Sequence, residues 1–299
     1  MSRNCFFRSL VSLTLITGLL VSVVHFELSS EVQAADASFT QLWASADIGY
    51  VHGIVVEDVD NDGTNEIVVG TNTGLASNTW HGYIYMYNAI THVLEWQSSD
   101  LGSVAAVTVT DLEGDGSKEI VAKVNHSMSA VIGDRYGYVY VFDGASHAQI
   151  WQSANIGEGE ALCVADSDGD GVKEIIVGGM YYYSCTRNGH VYVFDGSTFA
   201  QQWKSAEINS VDSIVVADTD DDGQQEIIVG NRVTDCASSS EEGGFYYPGY
   251  LYVFDGTNFN QEWQSAEIGA PYGNCLIIDD VDNDGVKEII AGVHRHSSR

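Results

Sequence analysis

Basic residues are scarce in this chain. Its 299 residues include 12 Lys and Arg against 42 Asp and Glu, a formal net charge of −30. Phosphate contacts need clusters of Lys and Arg, so this balance argues against nucleic acid and anionic membranes and implies no polyanionic partner. No C-x-x-C pair occurs among the five cysteines, which argues against a zinc ribbon or a thioredoxin-like centre. Also lacking are a G-x-S-x-G elbow, an H-E-x-x-H helix, a phosphate-cradling G-x-x-x-x-G-K and a dinucleotide fingerprint. The nine histidines show neither a shared repeat position nor metal-ligand spacing. Positive support for an enzyme is therefore thin.

What is present is a carboxylate pattern, D-x-D-x-D-G-x-x-E, that occurs five times. The first copy places Asp58, Asp60, Asp62 and Glu66 at positions 1, 3, 5 and 9, and the second places Asp111, Glu113, Asp115 and Glu119 there. The third uses Asp166, Asp168, Asp170 and Glu174; the fourth Asp218, Asp220, Asp222 and Glu226; the fifth Asp280, Asp282, Asp284 and Glu288. A hard cation such as Ca²⁺ takes about six to eight oxygens, which a short loop supplies from alternate side chains and a carbonyl. Glycine at position 6 permits the turn that brings the position 7 carbonyl inward, from Thr64, Ser117, Val172, Gln224 and Val286. Glu at position 9 runs directly into Glu-Ile-Val-Val-Gly or its like, a strand signature, so these loops join strands and not helices.

Charge repulsion supports the metal reading. Two carboxylates ~4 Å apart repel by roughly 4 kcal/mol at an effective dielectric near 20, and every loop gathers four. Plain Asp-Gly turns would scatter Asp, Asn and Ser instead of filling the same positions five times. Up to five structural Ca²⁺ are expected, with the second site reshaped by the longer Glu113.

The loops belong to a larger unit. Trp43, Trp96, Trp151, Trp203 and Trp263 recur every 52 to 60 residues, each leading into an apolar strand, the acidic loop and a second apolar strand. A variable insertion follows, then an alternating strand such as Gly137-Tyr-Val-Tyr-Val-Phe-Asp143, a turn, and a short strand back to the next Trp. The expectation is an all-β fold: a β-propeller of about five four-stranded blades, with a calcium loop between the first and second strands of each. The repeats cover about 44–96, 97–151, 152–203 and 204–263, with 264–293 partial. The five Trp are expected to fill the wedge between neighbouring blades.

The acidic motif together with the downstream G-Y-V-Y-V-F-D-G resembles the FG-GAP or VCBS-type repeats of integrin α-chain-like propellers, over nearly all of residues 36–293. The Gly-Ala-Pro element is missing, so integrin-style partner recognition is not carried over. The resemblance implies a closed ring, usually of seven or eight blades. Here the last repeat lacks its third strand, so that blade is either incomplete or closed by the N-terminal strand Phe39–Trp43.

Residues 1–34 read as a secretory signal peptide: Arg3 and Arg8, an apolar run from Leu10 to Val24, and Val32-Gln33-Ala34 before the cleavage point. An uncleaved membrane anchor is the competing reading, because the run approaches spanning length. The domain at 35–299 is then secreted or held at the cell surface, where weak calcium sites suffice. Cys163 and Cys275 lie in apolar strands and are expected buried, whereas Cys185 and Cys236 sit in equivalent insertions and could form a disulfide.

In a propeller the acidic loops occupy one face and the variable insertions the other. Those insertions hold Trp80, Tyr181, Tyr182, Tyr183, Tyr246 and Tyr247, aromatics that suit a carbohydrate or protein ligand. Packing of these rings onto their own loops is the alternative of equal weight. The functional expectation is a non-catalytic recognition or adhesion module; the alternative is a calcium-dependent polysaccharide-active enzyme of lyase type, or a non-catalytic part of one.

Overall fold

The computed structural model describes residues 41–76, 79–127, 135–183, 186–233 and 248–294. The expected signal peptide, Cys185, Cys236, Tyr246 and Tyr247 lie outside these residues. Every regular element among them is a β-strand.

The first repeat gives β1 (Tyr50–Glu57), β2 (Glu66–Asn72), a small hairpin of β3 (Leu75–Ala76) and β4 (Thr79–Trp80), then β5 (Ile84–Asn88) and β6 (Leu94–Gln97). Strands β1, β2, β5 and β6 form an antiparallel meander in chain order. The second repeat forms the same sheet from β7 (Ser103–Thr110), β8 (Glu119–Ser127), β9 (Arg135–Asp143) and β10 (Gln149–Gln152). The third uses β11 (Leu162–Ala165), β12 (Glu174–Tyr183), β13 (Thr186–Asp195) and β14 (Gln201–Lys204). The fourth uses β15 (Ser210–Ala217), β16 (Glu226–Arg232), β17 (Leu251–Asp255) and β18 (Gln261–Gln264). The fifth sheet has two strands among the described residues, β19 (Ala270–Asp279) and β20 (Glu288–His294).

Register follows the sequence repeat. The closing Glu of each acidic loop opens the second strand: Glu66 pairs with Glu57 and Asn88, Glu119 with Thr110 and Asp143, and Glu174 with Ala165 and Asp195. A β-bulge precedes each strand-borne Trp, and it leaves Trp96 opposite Met86, Trp151 opposite Val141, Trp203 opposite Val193 and Trp263 opposite Val253.

Consecutive sheets pack face to face, which explains the continuous apolar runs of the second strands. One side of β2 and β5 (Val68, Ile84, Met86) meets Val104, Val107 and Val109 of β7 and Ile120, Tyr140 and Phe142 of the second sheet. The same arrangement recurs between the second and third sheets and between the third and fourth. Each fully buried Val or Ile contributes about 1.5–3 kcal/mol. Small residues set the close approach: a Cβ on Gly70 would lie 2.7 Å from Val104 Cγ1, and one on Gly178 would lie 2.7 Å from Val211 Cβ.

The repeating Trp sit between sheets, as expected, and the partners extend the sequence reading. Trp96 meets Phe142 edge-on at 5.5 Å and lies flat on His147 at 5.1 Å; Trp203 does the same with Phe254 and Phe259. Trp43 makes the equivalent pair with Tyr87 and His92. His92 and His147 therefore do share one repeat position, contrary to the sequence reading; Phe199 and Phe259 fill it in the next two repeats and hid the pattern. Trp263 differs, being 48% exposed, because the fifth sheet has no third strand among the described residues to receive it.

The Ser two residues beyond each strand-borne Trp has a fixed task. Ser98, Ser153, Ser205 and Ser265 each accept a bond from the backbone amide of the third strand, at Ile84, Val139, Val191 and Leu251. This bond ties the end of each sheet's fourth strand to its third.

The cysteine expectation needs one correction. Cys163 is half-buried, and burial pushes its thiol up to about 11, but Cys275 is exposed. Cys275 stands on the side of β19 that faces away from the fourth sheet, where no further sheet is packed among the described residues.

Candidate metal centres

All five acidic loops share one conformation. Position 6 glycines Gly63, Gly116, Gly171, Gly223 and Gly285 have φ between 90° and 93°, and position 4 (Asn61, Gly114, Gly169, Asp221, Asn283) is left-handed as well, with φ from 60° to 77°. Position 4 was not singled out in the sequence, although Asn, Asp and Gly are the residues that tolerate this backbone. The Asp at position 1 accepts the amide of the position 6 glycine in every loop, at 2.8–3.1 Å. The Asp at position 5 accepts the amide of position 7, at 2.7–2.8 Å, for Thr64, Ser117, Val172, Gln224 and Val286.

Position 9 is the most informative. One carboxylate oxygen of Glu66, Glu119, Glu174, Glu226 and Glu288 accepts the backbone amide of position 2, at Val59, Leu112, Ser167, Thr219 and Val281. The hydroxyls of Ser167 and Thr219 donate to the same oxygen. Glu66, Glu119, Glu174 and Glu226 are buried, and burial raises the carboxyl pKa of Glu66 and Glu174 above the ordinary value. An ionised carboxylate in such a place costs several kcal/mol unless a positive partner meets it.

The second oxygen shows where that partner belongs. Glu174 is fully buried, and its Oε1 has no hydrogen-bond partner among the described residues. Asp58 Oδ1 and Asp218 Oδ1 are buried and unpartnered in the same way. The structure brings Asp166, Asp168 and Glu174 together with ligand oxygens within 4.8 Å of one another, and likewise Asp111, Glu113 and Glu119; Asp218, Asp220 and Glu226; and Asp280, Asp282 and Glu288. In the first loop the group is Asp58, Asp60 and Asp62. These five clusters can hold a metal ion, and an all-oxygen donor set fits a hard cation such as Ca²⁺. Asp115, Asp170, Asp222 and Asp284 stand outside the tight groups and hold the position 7 amides.

The longer Glu113 leaves the backbone of the second loop like the others and changes its electrostatics instead. Its carboxyl lies against Glu119, whose pKa rises to about 7, through burial first and then through the charge of and hydrogen bond with Glu113.

The opposite ends of the sheets carry the variable insertions. Trp80 is half-buried in the β3–β4 hairpin, opposite Leu75. Tyr181 is also half-buried, and its hydroxyl donates to the Asn155 carbonyl at 2.6 Å. That bond packs Tyr181 onto its own chain. Tyr182 and Tyr183 extend β12 opposite Arg187 and Thr186. His81 Nδ1 meets Asp100 at this end, and hydrogen bonding to His81 and to the amides of Gly102 and Gly82 lowers the Asp100 pKa against the opposing effect of its burial.

Lys123 escaped the sequence reading. It occupies the position held by Gly70, Gly178 and Gly230 in other second strands, yet it is fully buried, with Nζ donating to the Gly157 carbonyl at 2.7 Å. Its counterpart in the next sheet explains this. Seven residues before the first loop Asp stand Val104 and Val211, which fill the Gly70 and Gly178 clefts, but Gly159 stands there in the third repeat. With a glycine there in place of valine, the lysine stem has room to run between the sheets to the Gly157 carbonyl.

No family model matches the chain, and no curated protein does. Among solved structures it is similar to Sqt1 of Saccharomyces cerevisiae, with 11% identity, a TM-score of 0.51, and coverage of 88% of this chain and 62% of that one. It also matches the V. cholerae biofilm matrix protein Bap1, with 17% identity, a TM-score of 0.38, and coverage of 74% of this chain and 41% of that one. The chain thus spans less than two thirds of either protein. The similarity to Sqt1 is one of fold, and it agrees with a repeat-built, β-rich architecture.

Proposed function

We propose that this chain is an exported, calcium-stabilised β-propeller of about five blades, serving as a non-catalytic recognition or adhesion module for a carbohydrate or protein. The observation that carries the calcium reading is the Oε1 of the fully buried Glu174, partnerless among the described residues and set among Asp166 and Asp168 in a loop whose geometry is repeated five times. Calcium would be held by positions 1, 3 and 9 in the last four loops and by positions 1, 3 and 5 in the first, and would neutralise the buried carboxylates. Its role is to fix the hairpin between first and second strands, not to activate a substrate.

Ring closure would cover two apolar faces that stand exposed at the ends of the array. Val107 and Val109 of β7 are 8% and 9% exposed, whereas their counterparts Ile54 and Val56 on β1 are 44% and 52% exposed. At the other end of the array Ile277 and Ile290 are 58% and 38% exposed. A propeller flanks every sheet and covers both faces. The apolar run and cleavage signal in residues 1–34 support export.

Thermal melts in EDTA and in millimolar calcium test the metal role. A site at ~100 times its Kd adds about 2.7 kcal/mol, so the melts should separate by many degrees; superimposable melts would remove the calcium reading. A panel of polysaccharides and extracellular proteins tests recognition: retention without cleavage is expected, and new unsaturated uronide absorbance would indicate a lyase instead.

A further inference from the structure

The residue between the position 7 carbonyl and the closing Glu is not a ligand, yet in three loops it is a lysine that reaches into the preceding loop. Lys118 Nζ of the second loop meets Glu57 Oε1 at 2.5 Å, immediately before Asp58 of the first. Lys173 Nζ of the third donates to Thr110 Oγ1, immediately before Asp111 of the second, and the Lys173 amide donates to the Leu112 carbonyl at 2.8 Å. Lys287 Nζ of the fifth donates to the Asp218 carbonyl of the fourth at 2.7 Å and lies 3.5 Å from Asp221 Oδ1. Asn61 Nδ2 adds a bond from the first loop to the Gly116 carbonyl of the second, at 2.7 Å. Between the third and fourth loops the series breaks: position 8 of the fourth is Gln225, and no side-chain bond from it to the third loop is present among the described residues. Ser167 of the third loop does reach the fourth repeat, its Oγ donating to the Gly256 carbonyl at 3.5 Å, but Gly256 lies in the turn after the third strand and not in the fourth acidic loop, and Gly144 packs close to Val59 of the first loop in the same way.

We infer that the five loops load as two linked groups, the first three together and the last two together, with Lys118, Lys173 and Lys287 as the positioning residues that couple them. The inference rests on the calcium reading above. The physical route is ordering. Position 8 lies between two residues that a cation would fix, so loading one loop immobilises the lysine stem and, through it, the residue that leads into the preceding loop (Glu57, Thr110) or opens it (Asp218). The preceding site then has less freedom to lose, which is positive coupling, and by linkage the effect is reciprocal. Electrostatics alone gives the opposite sign. An ammonium beside an acidic cage repels the cation, so removing it would tighten binding if charge were its only role.

The position 6 glycines allow a site-by-site test, because each donates its amide to the position 1 carboxylate of its own loop. The full chain, labelled with ¹⁵N-glycine, would be titrated with CaCl₂ while five amide resonances are followed. Gly63, Gly116 and Gly171 should share one midpoint, and Gly223 and Gly285 a second. Lys173→Met should raise the midpoints of Gly116 and Gly171 about fivefold, the lower end of ordinary coupling, without moving Gly223 or Gly285. Lys287→Met should do the converse, and Lys173→Arg should restore the shared midpoint. Unchanged or lowered midpoints in both Met variants would overturn the inference while leaving the calcium reading intact. Five glycine resonances that ignore millimolar calcium would overturn both.

Discussion

The indole of Trp151 lies flat on the ring of Phe199, with centroids 5.1 Å apart and planes 12° from parallel, and Phe199 holds φ at 57° to make the contact. A left-handed backbone costs an aromatic residue about 1–3 kcal/mol, and the stack with its buried area offsets that cost. Two terms of opposite sign therefore meet at one residue. Phe199→His should stay within about 1 kcal/mol of the parent, since His92 and His147 do the same work with the same backbone in the first two repeats. Phe199→Ala should lose ~2 kcal/mol, and Phe199→Gly less than Ala although it is smaller, because glycine is at ease with this φ. Denaturant midpoints of the three variants check the order; Gly falling below Ala would show that backbone strain is negligible here.

Most of this architecture is legible in the residues because the repeat states each element four or five times. Glu-Ile-Val-Val-Gly after an acidic loop can be little other than a buried second strand, and the recurring Trp mark the sheet junctions. What escaped notice depends on contacts between repeats. His92 and Phe199 are equivalent only once the Trp that lies on each is seen. Nothing in the sequence singles out Lys118 and Lys173; only the neighbouring sheet brings Glu57 and Thr110 under them. The exposure of Cys275 was equally hidden, since an apolar strand is buried on both sides only if a sheet stands on each.

The cleft at Gly178 should be intolerant of growth. A Cβ there would lie 2.7 Å from both Cβ and Cγ1 of Val211, and overpacking of this kind costs about 1–3 kcal/mol. Gly178→Ala should lower stability by that amount, and adding Val211→Gly should return part of it, because the pair then approaches the arrangement of Lys123 and Gly159. A double-mutant cycle measured by urea denaturation reads the coupling, which should exceed ~0.5 kcal/mol.

Glu174→Gln separates burial of charge from binding of a cation. In EDTA the variant should be more stable than the parent, since the amide oxygen still accepts from Ser167 while the buried negative charge is gone. In millimolar calcium the order should reverse, with the loss of the ~2.7 kcal/mol that one well-loaded site supplies. Calorimetric melts under both conditions check the crossing. A variant less stable than the parent in both would make Glu174 a structural carboxylate and nothing more.

Lys123 sets the last expectation, a dependence of stability on pH at a site remote from any acidic loop. Burial lowers its pKa to about 7, against an opposing pull from Glu158. A lysine whose folded pKa lies below its unfolded value binds fewer protons folded than unfolded between the two, so stability rises with pH across that interval. The full penalty therefore applies below about pH 7 and fades as pH climbs toward the ordinary lysine value. Removing the group removes the slope. Lys123→Met keeps a long stem between the sheets and carries no charge, so it should raise stability by about 1–4 kcal/mol at pH 6. At pH 10 it should gain nothing, and it then gives up the bond to the Gly157 carbonyl, worth about 1 kcal/mol. The difference between parent and variant in urea midpoint, followed from pH 6 to pH 10 in constant calcium, should thus fall through zero; a flat difference would mean that Lys123 stays charged in the folded chain, held by Glu158.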